Sequence, residues 1–156
     1  MAYDRADFDY STGDQPLPKG HAATHIGMFL AWAVNNGLEN ELHRHRSPEL
    51  LERLRRREIT GRQFFEAACG DRFSERDLSP EGNAFAETYY SDQAGERGPY
   101  FEDYRKVLSA GLPSFWHVAD TWENYDKLAP VISSRFDRWK KPRKKPWWQL
   151  WKKRQA

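Results

Sequence analysis

Apolar positions along the 156-residue chain recur mostly at helical spacing. The densest stretch is residues 21–36. There Ile26, Phe29, Leu30, Ala33 and Val34 fall on one helical face, and Met28 and Trp32 on another. A helix apolar on most sides belongs at the centre of a core. Asn36-Gly37 stops it, because glycine accepts the left-handed conformation. Ser47-Pro48-Glu49 starts another helix, with Leu50, Leu51 and Leu54 as its inner stripe. Thr60 and Gln63 have capping-box spacing before Phe64, Phe65, Ala67 and Ala68, and Gly70 ends that helix. Ser79-Pro80-Glu81 repeats the start signal ahead of Phe85, Tyr89 and Tyr90. Residues 99–108 form a fifth candidate helix, and residues 115–118 a short extended piece. Asp120 and Glu123 have capping-box spacing at the start of the last helix, which Pro130 is expected to kink or restart. No stretch alternates convincingly as a strand does. The pattern predicts a mostly α protein. It reads as a single compact domain of six or seven short helices, with an irregular N-terminal segment and a basic, tryptophan-rich C-terminal tail.

Composition sharpens this picture. The hydrophobic share is 38% and charged residues make up 31%, but an aromatic share of 15% argues for a packed core over disorder. The longest apolar run, residues 26–34, is far short of the roughly 20 residues needed to span a bilayer. The polar, acidic N-terminus does not read as a signal peptide. Cys69 is the single cysteine. It excludes an internal disulfide and makes a reducing cytoplasm the expected location. The net charge of +2 conceals an asymmetry. Residues 138–156 hold nine of the 25 Lys and Arg and none of the 23 acids. We therefore divide the chain into a helical globular domain, 1–139, and a basic tail, 140–156. The body should attract basic surfaces and repel nucleic acid.

Several constellations could carry chemistry. His21 and His25 are four apart, a spacing at which two imidazoles can share a metal, but no third ligand is evident. Hydrogen bonding at a polar helix start explains the pair as well, and no metal site is expected. His43 and His45 diverge on a helix and read as a solvated connection. Cys69 follows alanines in an apolar helix, where a small thiol is ordinary, and no catalytic residue or cofactor is expected. Arginines 53, 55, 56, 57 and 62 interleave with Glu49, Glu52 and Glu58, which suggests a salt-bridged helix face. The acidic, tyrosine-rich stretch 77–126 is a candidate binding face. Tyr89, Tyr90, Glu96, Tyr100, Glu102, Asp103 and Tyr104 would complement a basic partner. The alternative is that these tyrosines are core. In the tail, Pro146 can open a short helix on which Trp147, Trp148 and Trp151 are flanked by lysines. Such a segment suits an anionic membrane surface or a partner groove, and it could stack on single-stranded bases or stay a mobile, solvated tail.

The sequence His21-Ala-Ala-Thr-His-Ile-Gly-Met-Phe-Leu-Ala-Trp-Ala-Val-Asn-Asn-Gly-Leu resembles a family of small bacterial proteins known only as a domain of unknown function. Arg57-Glu-Ile-Thr-Gly-Arg-Gln-Phe, Leu78-Ser-Pro-Glu-Gly-Asn-Ala-Phe and His117-Val-Ala-Asp-Thr-Trp-Glu-Asn-Tyr-Asp-Lys-Leu-Ala-Pro extend the resemblance over roughly residues 8–140. It implies no reaction and no catalytic residues. Small acidic proteins of this kind often act as immunity proteins beside secreted toxins. The leading expectation is thus a non-enzymatic, cytoplasmic immunity protein that neutralises a cognate protein toxin of basic surface. A peripheral membrane or assembly module anchored by the tail is the first alternative. A metal-dependent enzyme using His21 and His25 is the second.

Overall fold

In a computed structural model of the chain, residues 2–6, 17, 20–91 and 96–141 are described. Their elements run β1 (Ala2–Arg5), α1 (Thr24–Asn35), α2 (Glu41–Arg46), α3 (Pro48–Arg55), α4 (Gly61–Ala68), β2 (Arg72–Ser74), α5 (Pro80–Tyr89), α6 (Pro99–Tyr104) and α7 (Trp122–Lys140). A π-helical turn, Arg105–Ser109, extends α6, and 3-10 turns lie at His21–Ala23 and Phe115–His117. The chain folds as a mostly α, single compact domain with a small two-stranded sheet.

Helix α1 is the axis of the core. Every residue from Thr24 to Val34 is buried. Phe29 sits at the centre of an aromatic shell made by Trp32, Phe73, Phe85, Tyr89, Tyr90 and Tyr100. Rings fill the space around one helix because a small domain has few other ways to bury enough apolar area. Helix α4 crosses α1 where Gly27 meets Gly61. A Cβ on either residue would overlap the other helix's backbone.

Local signals set most helix boundaries. Thr60 and Gln63 form both arms of a capping box. Ser79 caps α5 by accepting the Gly82 N–H at 3.1 Å. Helix α7 starts one residue later than expected. Thr121 is its N-cap and accepts the Asn124 N–H, while the Asp120 carboxylate instead takes the Thr60 hydroxyl at 2.5 Å. Pro130 does not restart α7, which is continuous to Lys140. Pro130 and Asp126, whose carbonyl loses its N–H partner, both lie on the exposed side, where water can substitute. Of the piece at 115–118, Phe115–His117 is a 3-10 turn and only Val118 is extended.

The sheet was not expected. Strand β1 pairs antiparallel with β2, with Asp4 opposite Phe73 and Arg5 opposite Arg72. Strands of four and three residues are too short to show an alternating pattern. The pairing ties the N-terminal segment down, with Tyr3 packed on Phe73 and donating to Asn83 Oδ1 at 2.9 Å. No helix among the described residues is long and apolar enough to cross a membrane.

Candidate functional site

The tyrosines of the expected binding face lie inside the fold. Tyr89, Tyr90, Tyr100 and Tyr104 are each no more than 3% exposed. Three of their hydroxyls are used internally. Tyr89 donates to Asp103 Oδ2 at 2.9 Å, Tyr90 to Asp4 Oδ2 at 2.7 Å, and Tyr100 to the His25 carbonyl at 2.6 Å. Burial pushes the Tyr100 and Tyr104 phenols well above their ordinary values, so they remain donors at any physiological pH. Asp103 is also buried, and Arg135 grips it with two hydrogen bonds of 2.8 Å. An aromatic acidic patch built from these five residues is therefore not presented to a partner. Glu96 and Glu102 are exposed. Arg105 and Lys106 hold the Glu102 carboxyl down at about 2, as hydrogen bonding and charge outweigh desolvation. Trp147, Trp148 and Trp151 lie outside the described residues, as does the rest of 142–156.

The two histidines of α1 and its 3-10 lead-in do not converge on one point. His21 Nδ1 bonds the Trp116 carbonyl at 2.8 Å. His25 Nε2 meets Asp4 Oδ2 at 2.8 Å, within a cage of Phe101, Tyr104, Phe115 and Trp116. Burial pushes the Asp4 carboxyl up. The hydrogen bonds and charge of His25, with those of Tyr90 and the Arg5 N–H, outweigh it and hold Asp4 below its ordinary value. This network fixes β1 against α1, while His25 Nδ1 is buried with no hydrogen-bond partner among the described residues.

A different cluster forms where α2, the end of α4 and the loop after β2 meet. His43 is not a solvated connection but is buried, 7% exposed, with its ring edge on Phe64. Its Nε2 lies 2.9 Å from Asp77 Oδ1 and 4.0 Å from Cys69 Sγ. The three donor atoms all fall within 4.8 Å of one another, and among the described residues no other three His, Cys, Asp or Glu side chains converge so. Asp77 is held from behind, its Oδ2 accepting the Ser74 N–H at 2.8 Å. His43 Nδ1 makes no hydrogen bond among the described residues. The local sequence places each group: Asn40 caps α2 by accepting the Leu42 N–H, which turns His43 inward. Cys69 is the C-cap of α4.

This cluster lines a cavity of about 420 Å³, whose wall also carries Arg46, Ser47, Arg72, Ser74 and Arg76. Unlike Arg44, Arg55, Arg57 and Arg135, which each have a carboxylate within 4.0 Å, these three arginines have no ion-pair partner among the described residues. Asp77 is the one acid on the wall, so the lining is net positive. Burial and the Asp77 charge push the Cys69 thiol well above its usual value. A thiol held protonated is a poor nucleophile. In a Cys–His–Asp relay the thiol and the carboxylate engage opposite ring nitrogens. Here both face Nε2, so the arrangement can bind but is not set to attack.

Sequence reasoning had considered His43 and Cys69 separately and missed Asp77. The only local hint is Ser74 and Asp77, spaced to close a turn at the strand end.

Residues 2–118 match the model of a family described as a domain of unknown function, DUF7832. That span contains every residue of the cavity. No curated protein and no solved structure matches the chain.

Proposed function

The chain belongs to the DUF7832 family, a description that names no reaction, and from the geometry we propose a non-catalytic binding domain whose cavity takes a small oxyanion such as a phosphate group. One observation carries this reading: three arginines with no ion-pair partner among the described residues line a single concave wall. Guanidinium forks match phosphate oxygens geometrically, and unpaired ones have no internal bond to break first. The cavity lies within the usual size range of small-ligand sites. The hydroxyls of Ser47 and Ser74 supply neutral partners on the same wall. This reading keeps the chain among binding proteins and moves its working surface from the acidic face to the arginine-lined cavity. Toxin neutralisation then needs a partner that offers an anionic group to that cavity.

The test is thermal unfolding of the full chain in inorganic phosphate and in pyrophosphate, against chloride at equal ionic strength. A ligand at about 100 times its Kd stabilises by about 2.7 kcal/mol. A saturable rise in Tm that is lost in Arg72→Gln and Arg76→Gln supports the proposal. A rise unchanged in both variants, or no saturable rise, defeats it.

A further inference from the structure

We infer that His43 Nε2, Cys69 Sγ and Asp77 Oδ1 form a binding site for a borderline-soft divalent cation of the zinc class. The inference goes beyond anion binding and stands on different atoms of the same cavity, the three donors and not the arginines. One imidazole, one thiol and one carboxylate are the donors zinc prefers, and three protein ligands with an open position is the arrangement of exchangeable sites. Magnesium and calcium, which want oxygen ligands, fit this set poorly.

The distances are close to those required. Tetrahedral zinc bonds imply N···O and N···S separations of about 3.3 to 3.6 Å. The present values are 2.9 Å for His43–Asp77 and 4.0 Å for His43–Cys69. The two pairs that include His43 each change by about half an ångström, and the Cys69–Asp77 pair, within 4.8 Å, closes by up to about 1 Å as the thiol swings inward. The supporting contacts stay in place, because Asp77 is held through its other oxygen by Ser74. Such contacts commonly orient metal ligands.

Proton bookkeeping also closes. Without metal, Nε2–H donates to Asp77 Oδ1. With metal on Nε2, the ring proton moves to Nδ1, which has no partner among the described residues to lose. Cys69 gives its thiol proton to solvent as the sulfur–metal bond forms. Binding thus releases one proton in the pH range where the thiol is otherwise protonated. Two ligand anions leave the metal centre near neutral, and the arginines on the wall would then draw an anion toward its open position.

Cobalt(II) titration of the chelator-treated full chain, in a thiol-free reductant, tests the inference. Cys69 is the only cysteine, so any thiolate-to-metal absorption band has a single origin. The expected result is a band that saturates at one equivalent and is displaced by zinc. It should vanish in Cys69→Ser, with its apparent affinity at least about tenfold weaker in Asp77→Asn and His43→Gln. The Ser variant is near-isosteric at a partly exposed cap, and circular dichroism confirms that it folds. No band with excess cobalt, or a band of equal affinity in Asp77→Asn and His43→Gln, overturns the inference. Arg72→Gln should keep the band. A band without phosphate binding sinks the anion proposal alone, and phosphate binding without a band sinks the metal site alone.

Discussion

Replacing Gly27 with alanine adds one methyl group at the point where α1 and α4 touch. That Cβ would sit 2.5 Å from Arg62 Cα and 2.6 Å from the Gly61 carbonyl carbon. Ordinary carbon contacts lie at about 3.5 to 4.0 Å, so the helices must part by about 1 Å. No rotamer can relieve the overlap, because the atoms met are backbone. Overpacking typically costs about 1 to 3 kcal/mol, and α1 is enclosed on every side, which favours the upper end. Alanine returns about 1 kcal/mol of helix propensity. The net loss is about 2 kcal/mol or more, or a fall in Tm of about 4 to 8 °C for a chain of this length.

Urea unfolding followed by circular dichroism measures this directly. Gly37→Ala is the control. Gly37 has φ +70° and nothing within 4 Å of its would-be Cβ, so only the left-handed backbone cost of about 1 kcal/mol applies. Gly61→Ala acts on the same crossing, its Cβ falling 2.9 Å from Ala31 Cβ. Once the helices have parted, the second methyl group enters space already opened. The double variant should therefore lose less than the sum of the singles by about 1 kcal/mol. Because α4 ends at Cys69, the same displacement should also weaken the cobalt band. A Gly27→Ala protein as stable as the parent, with additive double-mutant behaviour, refutes the close crossing.

Other substitutions probe the remaining ties. Thr60→Ala removes both the cap on α4 and the hydroxyl bond to Asp120, and should lower stability in urea by about 1 to 2 kcal/mol. Asp103→Ala strands the Tyr89 hydroxyl and the Arg135 guanidinium together. A loss of about 2 kcal/mol is expected, with Asp103→Asn milder because it keeps one acceptor. Acid unfolding should register Asp4. Its folded-state pKa lies below the ordinary value, so the unfolded chain binds the proton more readily. Its contribution is complete above the ordinary carboxylate range near pH 4 and is lost as pH falls through the folded value. Asp4→Asn should flatten the slope of stability against pH in that acid window, and an unchanged slope would contradict the assignment.

What the sequence revealed and what it hid divide by distance along the chain. The caps at Thr60 and Ser79 are contacts across three residues, so their spacing is visible in the one-dimensional pattern. The central helix is visible because residues 26–34 form one unbroken apolar run, which the sequence shows directly. The tyrosines misled because a phenol suits a surface and a core equally well. Which one applies depends on partners at Asp4 and the His25 carbonyl, 86 and 75 residues away. The cavity was hidden for the same reason. His43 lies 26 residues from Cys69 and 34 from Asp77, on three elements joined only by tertiary packing.

The His43–Asp77 pair has a plain structural use as a strut between α2 and the loop after β2. Taken alone it would carry no functional weight, since buried polar groups are normally paired. Two neighbours do not fit a strut. A thiol beside a buried carboxylate gains little packing that alanine would not supply, and the carboxylate makes its ionisation harder. Three exposed arginines with no ion-pair partner among the described residues share one concave wall, where like charges repel. Each arrangement is unfavourable in isolation, and both are relieved by an occupant: a cation for the donors, an anion for the guanidiniums. This predicts opposite responses in the unoccupied protein. Arg76→Gln should leave stability unchanged or slightly raised, because repulsion is removed. His43→Gln should lower it by about 1 kcal/mol, because the strut is weakened. Equal losses in both would mean that the arginines serve the fold, and the case for an occupied cavity would fall with that result.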